Sequence, residues 1–440
     1  MTKILIVGGG YAGFYTAWKL EKHLRRNEAE VTMVDPRPYM TYQPFLPEVA
    51  AGSVDPRYAL VAHRKHLTKT NVLTASVTGI DHASKTATIT PEDGEPYEFA
   101  YDQIVVTAGA VSRTFPIPGV ADEAIGLKNI EEAIAIRDRI LTNFDRAALL
   151  PKGDPLRERL LTFTVVGGGF AGIEVFAEMR SFASYLVRQY DGIEFEDTHF
   201  HLIEAMGRIM PEVSLKTSLW VIKNLAQRGA IVHLETQLSS AVGGKIELST
   251  GESFESDLIV WTAGVMAAPM LRGTDLPIEE RGRLRVQPDL RVINDDGVVA
   301  DAWGAGDVSA VPDLSGGGVG GFCVPNAQHA VRQGKLMAKN IVANLRGEGL
   351  REYNHKNQGA VAGLGIGVGA FQRGKLGVTG WPAWIMHRGY HGLAMPTWER
   401  KLRVIVNWVG NFLLGRDTVS IADVTRPRDS FEKYASRPKA

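Results

Sequence analysis

Two stretches of this chain space their glycines as a pyrophosphate-binding turn requires. They read "ILIVGGGYAGFY" and "VVGGGFAGIE". Glycine there permits a tight turn and lets a phosphate approach the N-terminus of the following helix. Each stretch therefore predicts a dinucleotide cradle, and the alternative is a purely structural turn. The glycines are Gly8, Gly10 and Gly13 in the first copy and Gly167, Gly169 and Gly172 in the second.

Each motif has the strands, helix and acidic residue of a dinucleotide-binding unit. In the first, "KILIVGGG" predicts a buried strand, "YAGFYTAWKLEKHL" a helix and "EVTMVD" a strand ending at Asp35. In the second, "LTFTVVGGG" predicts the strand, "FAGIEVFAEMRSFASYLV" the helix and "THFHLIE" a strand ending at Glu204. A carboxylate at that position can accept hydrogen bonds from a ribose.

Other similar segments indicate that the whole unit is repeated. "YDQIVVTAGA" and "SDLIVWTAGV" each end a strand in Thr-Ala-Gly, and "VVADAWGAGDVSAVP" returns to the first unit. The predicted fold class is α/β, with two Rossmann-like domains, the second inserted in the first as in glutathione reductase. A C-terminal helical region follows.

Length and composition narrow the function further. A length of 440 residues suits two to three domains, and a formal net charge of zero does not favour a nucleic-acid partner. Cys323 is the single cysteine, which excludes an internal disulfide, a thiolate metal cluster and a redox dithiol. No metal site and no signal peptide are predicted, and no uncharged apolar run reaches the roughly 18–20 residues of a spanning helix.

Together these motifs resemble the type II NADH dehydrogenases, which are single-subunit NADH:quinone oxidoreductases. The resemblance also covers "YQPFLPEVAAG", "VPNAQHAVRQG" and "WPAWIMHRGYHG". It implies that the first cradle holds FAD non-covalently and the second holds NADH. The implied limits are 1–125 and 291–350 for the FAD-binding domain, 126–290 for the NADH-binding domain and 351–440 for the C-terminal region.

The resemblance also implies cofactor-binding residues, among them Asp307 for the flavin ribityl chain, although a solvated loop aspartate is the alternative there. On the FAD side they are Gly8, Gly10, Tyr11, Ala12, Gly13, Asp35, Pro36, Gln43, Pro44, Val77, Thr107, Ala108, Gly109, Asp307, Ala327 and Gln328. On the NADH side they are Gly167, Gly169, Phe170, Ala171, Gly172, Glu174, Glu204, Ala263 and Gly264.

Glu174 distinguishes the second cradle, because the first has Phe14 and Tyr15 in the matching turn. A carboxylate in a first helical turn can simply complement the helix dipole. The resemblance implies a catalytic role instead, at the contact between nicotinamide and flavin. There Glu174 would position the carboxamide or tune the charge-transfer pair.

The electrons must leave through a diffusible acceptor, since no cysteine pair exists. The family carries an A-Q-x-A-x-Q signature with both glutamines at the quinone pocket. Gln328 matches the first glutamine, Arg332 replaces the second, and Gln333 lies about 100° further around the helix and is expected to face elsewhere. Arg332 is a charged donor only. It could bind a quinone carbonyl and stabilise a reduced quinone, or repel the ring, or pair with a carboxylate.

Two C-terminal segments predict amphipathic helices in a membrane interface, and the alternative is a dimer or core helix. The first, "WPAWIMHRGYHGLAM", is rich in Trp, Met and Tyr. The second is "TWERKLRVIVNWVGNFLLGRD". The apolar stripe of the second comprises Leu402, Ile405, Val409 and Phe412, widened by Trp398, Trp408 and Leu413 and flanked by Arg400, Lys401, Arg403 and Arg416.

These patterns predict a respiratory flavoprotein that passes electrons from NADH to menaquinone or ubiquinone without pumping protons. It would be peripheral, on the cytoplasmic face of the cell membrane, and a homodimer is compatible with the sequence. One alternative is a soluble NAD(P)H-dependent reductase with a ferredoxin-like or small organic acceptor. Another is a flavin-binding redox sensor with little turnover.

Overall fold

The structure, a computed structural model, describes residues 1–316, 318–355, 358–421 and 428–435. It contains two compact units. Unit 1 comprises Met1–Gln43, Leu60–Arg113 and Val265–Gln358, and unit 2 comprises Pro44–Ala59, Thr114–Gly264 and Gly359–Ala440. The second unit thus interrupts the first in sequence, and the predicted insertion is confirmed. The predicted limits of the cofactor domains stay a prediction.

The bounds of the regular elements follow in chain order. The helices are α1 (Tyr11–His23), α2 (Leu46–Val49), α3 (His63–His66), α4 (Val120–Glu123), α5 (Ile130–Ala147), α6 (Pro155–Leu160), α7 (Phe170–Leu186), α8 (Leu215–Gln227), α9 (Ala327–Leu345), α10 (Trp381–Ala394), α11 (Trp398–Leu414) and α12 (Asp429–Ala435). The strands are β1 (Thr2–Val7), β2 (Ala29–Asp35), β3 (Tyr39–Thr41), β4 (Leu60–Ala62), β5 (Asn71–Thr74), β6 (Ser76–Asp81), β7 (Thr86–Thr90), β8 (Tyr97–Ala100), β9 (Gln103–Val106), β10 (Ala110–Ser112), β11 (Ala124–Ile125), β12 (Thr162–Val166), β13 (His199–Ile203), β14 (Ala230–His233), β15 (Leu238–Ser240), β16 (Lys245–Leu248), β17 (Ser253–Glu255), β18 (Leu258–Trp261), β19 (Val265–Ala267), β20 (Leu284–Arg285), β21 (Arg291–Asn294), β22 (Gly297–Gly304), β23 (Ser309–Ala310), β24 (Ala360–Gly363), β25 (Gly369–Arg373) and β26 (Leu376–Thr379).

Unit 1 is built on a sheet in the order β21-β22-β9-β1-β2-β5, parallel except for the edge strand β21. Its central strands read as continuous apolar runs because both faces are covered. Helices α1 and α9 pack very closely. A Cβ on Gly334 would overlap the carbonyl oxygen of Ala12, and the Thr16 hydroxyl donates to both Ala12 and Gly334 carbonyls. A smaller antiparallel sheet, β6-β7-β8, completes this unit together with the pairs β3–β4, β10–β19 and β20–β23.

Unit 2 repeats the architecture with a parallel sheet in the order β11-β18-β12-β13-β14 and an antiparallel sheet β15-β16-β17. Helix α7 leaves β12 directly after the second glycine motif. It is buried on most of its circumference, and this includes the charged residues Glu174, Glu178 and Arg180. Charged side chains on a helix of this kind need partners, because burial of an unpaired charge is costly.

The C-terminal part of unit 2 consists of the sheet β24-β25-β26 and helices α10 and α11. Helix α10 buries Ala383, His387, His391 and Gly392 on one face. Among the described side chains of α11 only Val404 is fully buried. No helix within the described residues is long and apolar enough to span a bilayer. Residues 422–427 and 436–440 of the predicted C-terminal region lie outside the described residues.

Candidate functional site

The first glycine cradle is closed by the backbone and by one threonine. Gly8 has φ +95°, and its missing Cβ would lie 2.6 Å from the carbonyl oxygen of Thr107. A Cβ on Gly13 would overlap the carbonyl oxygen of Gly8. The Thr107 hydroxyl donates to the carbonyls of Val7 at 3.0 Å and Gly8 at 2.8 Å. Glycine is therefore required at both positions by the turn itself.

Asp35 ends β2 beside this turn. Its carboxylate accepts hydrogen bonds from the backbone N–H of Gly9 at 2.6 Å and of Arg37 at 2.7 Å. His63 lies beneath the same loop, with Nε2 2.9 Å from the Gly9 carbonyl. Burial raises the pKa of Asp35, in spite of these two N–H donors, and burial lowers the pKa of His63. The structure thus fixes a carboxylate at the strand end where a ribose acceptor is predicted.

The second cradle reproduces this arrangement almost bond for bond. The Thr262 hydroxyl donates to the carbonyls of Val166 at 2.9 Å and Gly167 at 3.1 Å. A Cβ on Gly172 would overlap the Gly167 carbonyl oxygen. Glu204 accepts from the backbone N–H of Gly168 at 2.6 Å, as Asp35 does from Gly9.

The middle glycine of each cradle borders open space. Within the described residues no atom lies within 4 Å of a Cβ placed on Gly10 or Gly169. These residues cap the N-termini of α1 and α7, where backbone N–H groups favour a phosphate. Both cradles therefore combine an open helix N-terminus with a fixed carboxylate. In dinucleotide-binding folds the N–H groups of such a helix donate to the pyrophosphate, and the carboxylate accepts from the ribose.

Asp307 lies in a small pocket of unit 1. The side chain of Gln333 reaches this pocket, and its Oε1 accepts a hydrogen bond from Gly306 N–H at 2.8 Å. Gln333 is buried, because it lies one helical turn from Ala330 on the buried face of α9, whereas Gln328 and Arg332 are half-buried. The pocket is lined by Gly306, Asp307, Ser309, Cys323, Val324, Pro325, His329, Ala330 and Gln333.

Gln328 and Arg332 lie half-buried in the first turns of α9. Asn326 caps this helix by accepting a hydrogen bond from His329 N–H at 2.9 Å. The Arg332 guanidinium donates through Nη1 to the backbone carbonyl of Gln328 at 2.9 Å. The charge of Arg332 is thereby held within one turn of Gln328.

The other predicted cofactor residues lie at several places in the two units. Tyr11 and Ala12 begin α1, Pro36 follows β2, Val77 lies in β6, Ala108 and Gly109 follow β9, and Ala327 begins α9. Gln43 and Pro44 lie in a short 3-10 turn, Phe170 and Ala171 begin α7, and Ala263 and Gly264 follow β18.

Glu174 belongs to a cluster of charged side chains buried inside unit 2. Its Oε1 accepts a hydrogen bond from Gly363 N–H at 2.9 Å. The same oxygen lies 3.1 Å from Nε2 of His387 on α10, although the two atoms are not aligned as a hydrogen bond. Only 12% of the Glu174 side chain is exposed. The structure thus pairs this carboxylate with a histidine more than two hundred residues away in sequence.

His387 also faces a second carboxylate. Its Nδ1 lies 4.0 Å from Oε1 of Glu48 on α2. Glu48 accepts a hydrogen bond from the Trp408 indole at 2.9 Å and pairs with Arg388 at 3.4 Å. Burial alone would lower the pKa of His387, but Glu174 and then Glu48 outweigh it and raise the pKa above 6.5. The carboxylates of Glu174 and Glu48 thus favour the protonated, positively charged form of His387.

Glu178 lies one turn after Glu174 and is paired separately. The Arg416 guanidinium lies 3.3 Å from its carboxylate and donates to the Ser181 hydroxyl at 3.0 Å. The sequence interpretation placed Arg416 and Trp408 at the membrane stripe, and this was wrong. Gly415, with φ +85°, ends α11 and precedes the buried Arg416, and Trp408 points inward to Glu48.

Sequence reasoning therefore missed most of this cluster. The missed residues are Glu48, Glu178, His387, Arg388 and Arg416. The spacing in "HRGYH" was a usable signal, because it places two histidines on one helical face. Nothing in the sequence, however, indicated which carboxylates they would meet.

The chain is similar in sequence to a known protein family and to individual dehydrogenases. A family model described as pyridine nucleotide-disulphide oxidoreductase matches residues 2–334, and the chain belongs to this family. "Type II NADH:quinone oxidoreductase Ndh" of Mycobacterium tuberculosis is 27% identical over 94% of this chain and 89% of its own length. "Probable NADH dehydrogenase" of Dictyostelium discoideum is 26% identical over 95% of this chain and 91% of its own length.

Among solved structures, NDH2 from Plasmodium falciparum in complex with NADH has a TM-score of 0.86 and 18% identity. It covers 95% of this chain and 99% of its own. At that identity the likeness shows the fold. The resemblance to type II NADH dehydrogenases and the predicted α/β class are both confirmed.

Proposed function

We propose that this chain is a FAD-dependent NADH:quinone oxidoreductase that reduces a membrane quinone without pumping protons. The observation that carries the proposal is the pair of equivalent cradles, each with an acidic strand end, on a chain that aligns nearly end to end with type II NADH:quinone oxidoreductases. When bound, FAD supplies a two-electron relay between nicotinamide and quinone.

The first cradle would hold FAD. Gly8, Gly10 and Gly13 bring the backbone N–H groups of α1 to the pyrophosphate, and Asp35 accepts from the adenosine ribose. Asp307, in the pocket that Gln333 also lines, would bind the ribityl chain. The open space at Gly10 supports this assignment.

The second cradle would bind NADH, with Glu204 on the adenosine ribose. The charge of Glu204 disfavours the additional phosphate of NADPH. Arg208 could soften this effect, but its guanidinium already donates to the carbonyls of Met210 and Val213. The sequence interpretation placed Glu174 in the first turn of α7, and this was wrong, since it is the fifth residue of the helix and no acidic residue lies in the first turn. From this second turn Glu174 would position the nicotinamide carboxamide.

Gln328 and Arg332 would contact the quinone. The guanidinium of Arg332 is fixed one turn from Gln328 and carries a permanent positive charge. Reduction of a quinone builds negative charge on its oxygens, and a preorganised cation stabilises such charge best where water is scarce.

The exposed face of α11 would lie in the membrane interface. Trp398, Leu402, Phe412 and Leu414 are 77%, 53%, 86% and 88% exposed. Apolar side chains so strongly exposed along one helix are typical of a lipid-facing surface. The protein would bind peripherally, and the cytoplasmic face is proposed because NADH is formed there.

A steady-state assay tests the proposal. NADH oxidation should depend on an added menaquinone or ubiquinone analogue, and a soluble acceptor alone should not sustain it. Reduction of only a ferredoxin-like or small organic acceptor would favour the soluble reductase, and negligible turnover with every acceptor would favour the sensor.

Vesicle flotation tests the membrane surface. Phe412→Asp should reduce the bound fraction by about tenfold, because burying a Phe side chain contributes roughly 1.5–3 kcal/mol. Leu149→Asp is the matched control, since Leu149 is 85% exposed but lies outside the C-terminal helices. Equal loss in both variants would remove α11 from the proposal.

A further inference from the structure

Two buried histidines lie one turn apart on α10, yet their surroundings differ. His387 lies between the carboxylates of Glu174 and Glu48. His391 instead faces the rings of Phe45 and Tyr390, with centroids 6.1 and 5.0 Å away. Burial and then the charge of His387 hold the pKa of His391 well below its ordinary value. On the same helix face, the surroundings of His387 favour the protonated imidazole and those of His391 favour the neutral one.

The charge balance of the cluster points the same way. Glu178 pairs with Arg416, and the charge of Arg228 also acts on it. Glu48 and Glu174 face one guanidinium group, that of Arg388, so one of these two carboxylates lacks a cation unless His387 carries a proton. An unpaired buried charge is strongly unfavourable, so protonation of His387 is the simplest way to balance the cluster.

The charged groups that face His387 come from α7, α2 and α10, and Glu178 of α7 also interacts with its charge. Glu174 comes from α7 and Glu48 from α2, while Arg388 and His391 belong to α10 itself. The backbone of Gly363 in β24 lies against the imidazole, since a Cβ there would be 3.1 Å from its Cε1. His387 is thus fixed in place on each side, and its charge acts on Glu174 at short range.

We propose that His387 is the positioning residue of Glu174: as a cation 3.1 Å from Glu174 and 4.0 Å from Glu48, it fixes the Glu174 carboxylate in place. Within the described residues the contacts of Glu174 fall on Oε1, so Oε2 can accept a hydrogen bond from the carboxamide. The inference rests on the proposed function only in that NADH binds the second cradle. As hydride leaves NADH, the nicotinamide ring becomes positive, and an ionised Glu174 stabilises that charge.

The test uses the NADH half-reaction alone. With His387→Gln, flavin reduction followed by stopped-flow absorbance should be about tenfold slower than wild type at pH 6. The difference should fall below about twofold by pH 9, because wild-type His387 loses its own proton as the pH rises through its raised pKa. His387→Lys, which restores a cation, should recover the wild-type rate at pH 6, and His391→Gln should not change it.

Two measurements besides activity accompany this test. The affinity for NAD⁺, measured by calorimetry, should weaken in His387→Gln with the same pH dependence, since NAD⁺ carries the positive ring. Thermal stability should also respond. The pKa of His387 is raised on folding, so its stabilising proton is fully present below pH 6.5 and is lost as the pH rises through the raised pKa. Wild-type Tm should fall in that window, and the Tm of His387→Gln should not.

A uniform slowing of His387→Gln at every pH, or a folded His387→Lys that fails to recover the rate at pH 6, would make His387 a structural anchor and overturn the proposal. The proposed function fails differently. If wild-type flavin is reduced by NADH but no quinone reoxidises it, the quinone reaction is wrong, whereas the His387 result still stands.

Discussion

The helix after the first cradle carries Tyr15 where the helix after the second carries Glu174. Four residues further on, Lys19 in the first helix corresponds to Glu178 in the second. Unit 1 covers its helix with aromatic packing and with α9. Unit 2 covers its helix with the charged cluster of α2, α10 and α11. Both copies keep the glycine turn that binds a phosphate. Glu174 occurs in the second copy alone, and for this reason we propose that the second copy binds the hydride donor, NADH.

The sharpest way to break this comparison is to damage each cradle in the same way. A Cβ on Gly13 or Gly172 would meet a backbone oxygen that cannot move aside. Overpacking costs about 1–3 kcal/mol, so ligand binding should fall by about 5- to 150-fold. Gly13→Ala should lose FAD. Gly172→Ala should keep FAD, measured by absorbance per polypeptide, but lose NAD⁺ binding by calorimetry.

Gly349→Ala is the control for these substitutions. Its Cβ would meet no atom within 4 Å among the described residues, and its φ is not in the left-handed range. If Gly172→Ala lost FAD while Gly13→Ala kept it, the assignment of the two cradles would be reversed.

Exchanging the distinguishing residues sharpens the comparison. Glu174→Gln should slow flavin reduction by NADH by about 10- to 100-fold, because it removes a preorganised charge from the developing positive ring. Tyr15→Phe, at the matching position, should change it by less than about twofold. Stopped-flow absorbance measures both. Wild-type reduction in Glu174→Gln would reduce Glu174 to a helix-dipole role.

The strand-end carboxylates should differ in what they select. Glu204→Gln removes the charge that opposes NADPH, so the preference for NADH in kcat/KM should fall by roughly tenfold. Asp35→Asn should affect FAD retention and leave nucleotide preference unchanged. An unchanged preference in Glu204→Gln would refute its proposed role.

The smallest expected effect concerns the acceptor side. Arg332→Gln should leave flavin reduction by NADH near wild type and slow quinone-dependent reoxidation by about two- to fivefold, because a fixed cation near the reduced quinone is lost. Lys339→Gln, an exposed charge removal on the same helix, is the control. Slower flavin reduction with unchanged reoxidation would place Arg332 on the donor side.

The cradles could be predicted from the sequence because the residues that form each one lie close together in the chain. Glycine spacing, strand periodicity and a strand-end carboxylate lie within a short segment, and the structure places them as expected. Thr262 closes the second turn, yet among the predicted residues the Thr-Ala-Gly pattern supplied only Ala263 and Gly264 there.

The charged cluster could not be predicted in the same way. Gly363 lies 189 residues from Glu174, and Trp408 lies 360 residues from Glu48. Single charged residues in a sequence usually indicate solvated surface, and only tertiary packing decides which are buried. Arg416 is an example. Its position in the sequence is typical of a basic residue beside a membrane-bound helix, but in the structure it is buried and paired with Glu178.

The pairing of Glu178 with Arg416 has a consequence for synthesis on the ribosome. Arg416 is translated 238 residues after Glu178. At about 5–20 residues per second, that interval is roughly 10–50 seconds. Through this interval the nascent second unit lacks the Arg416 partner of Glu178. The ion pair therefore forms only after the C-terminal helices have been made, even though the nucleotide cradle of this unit is made early.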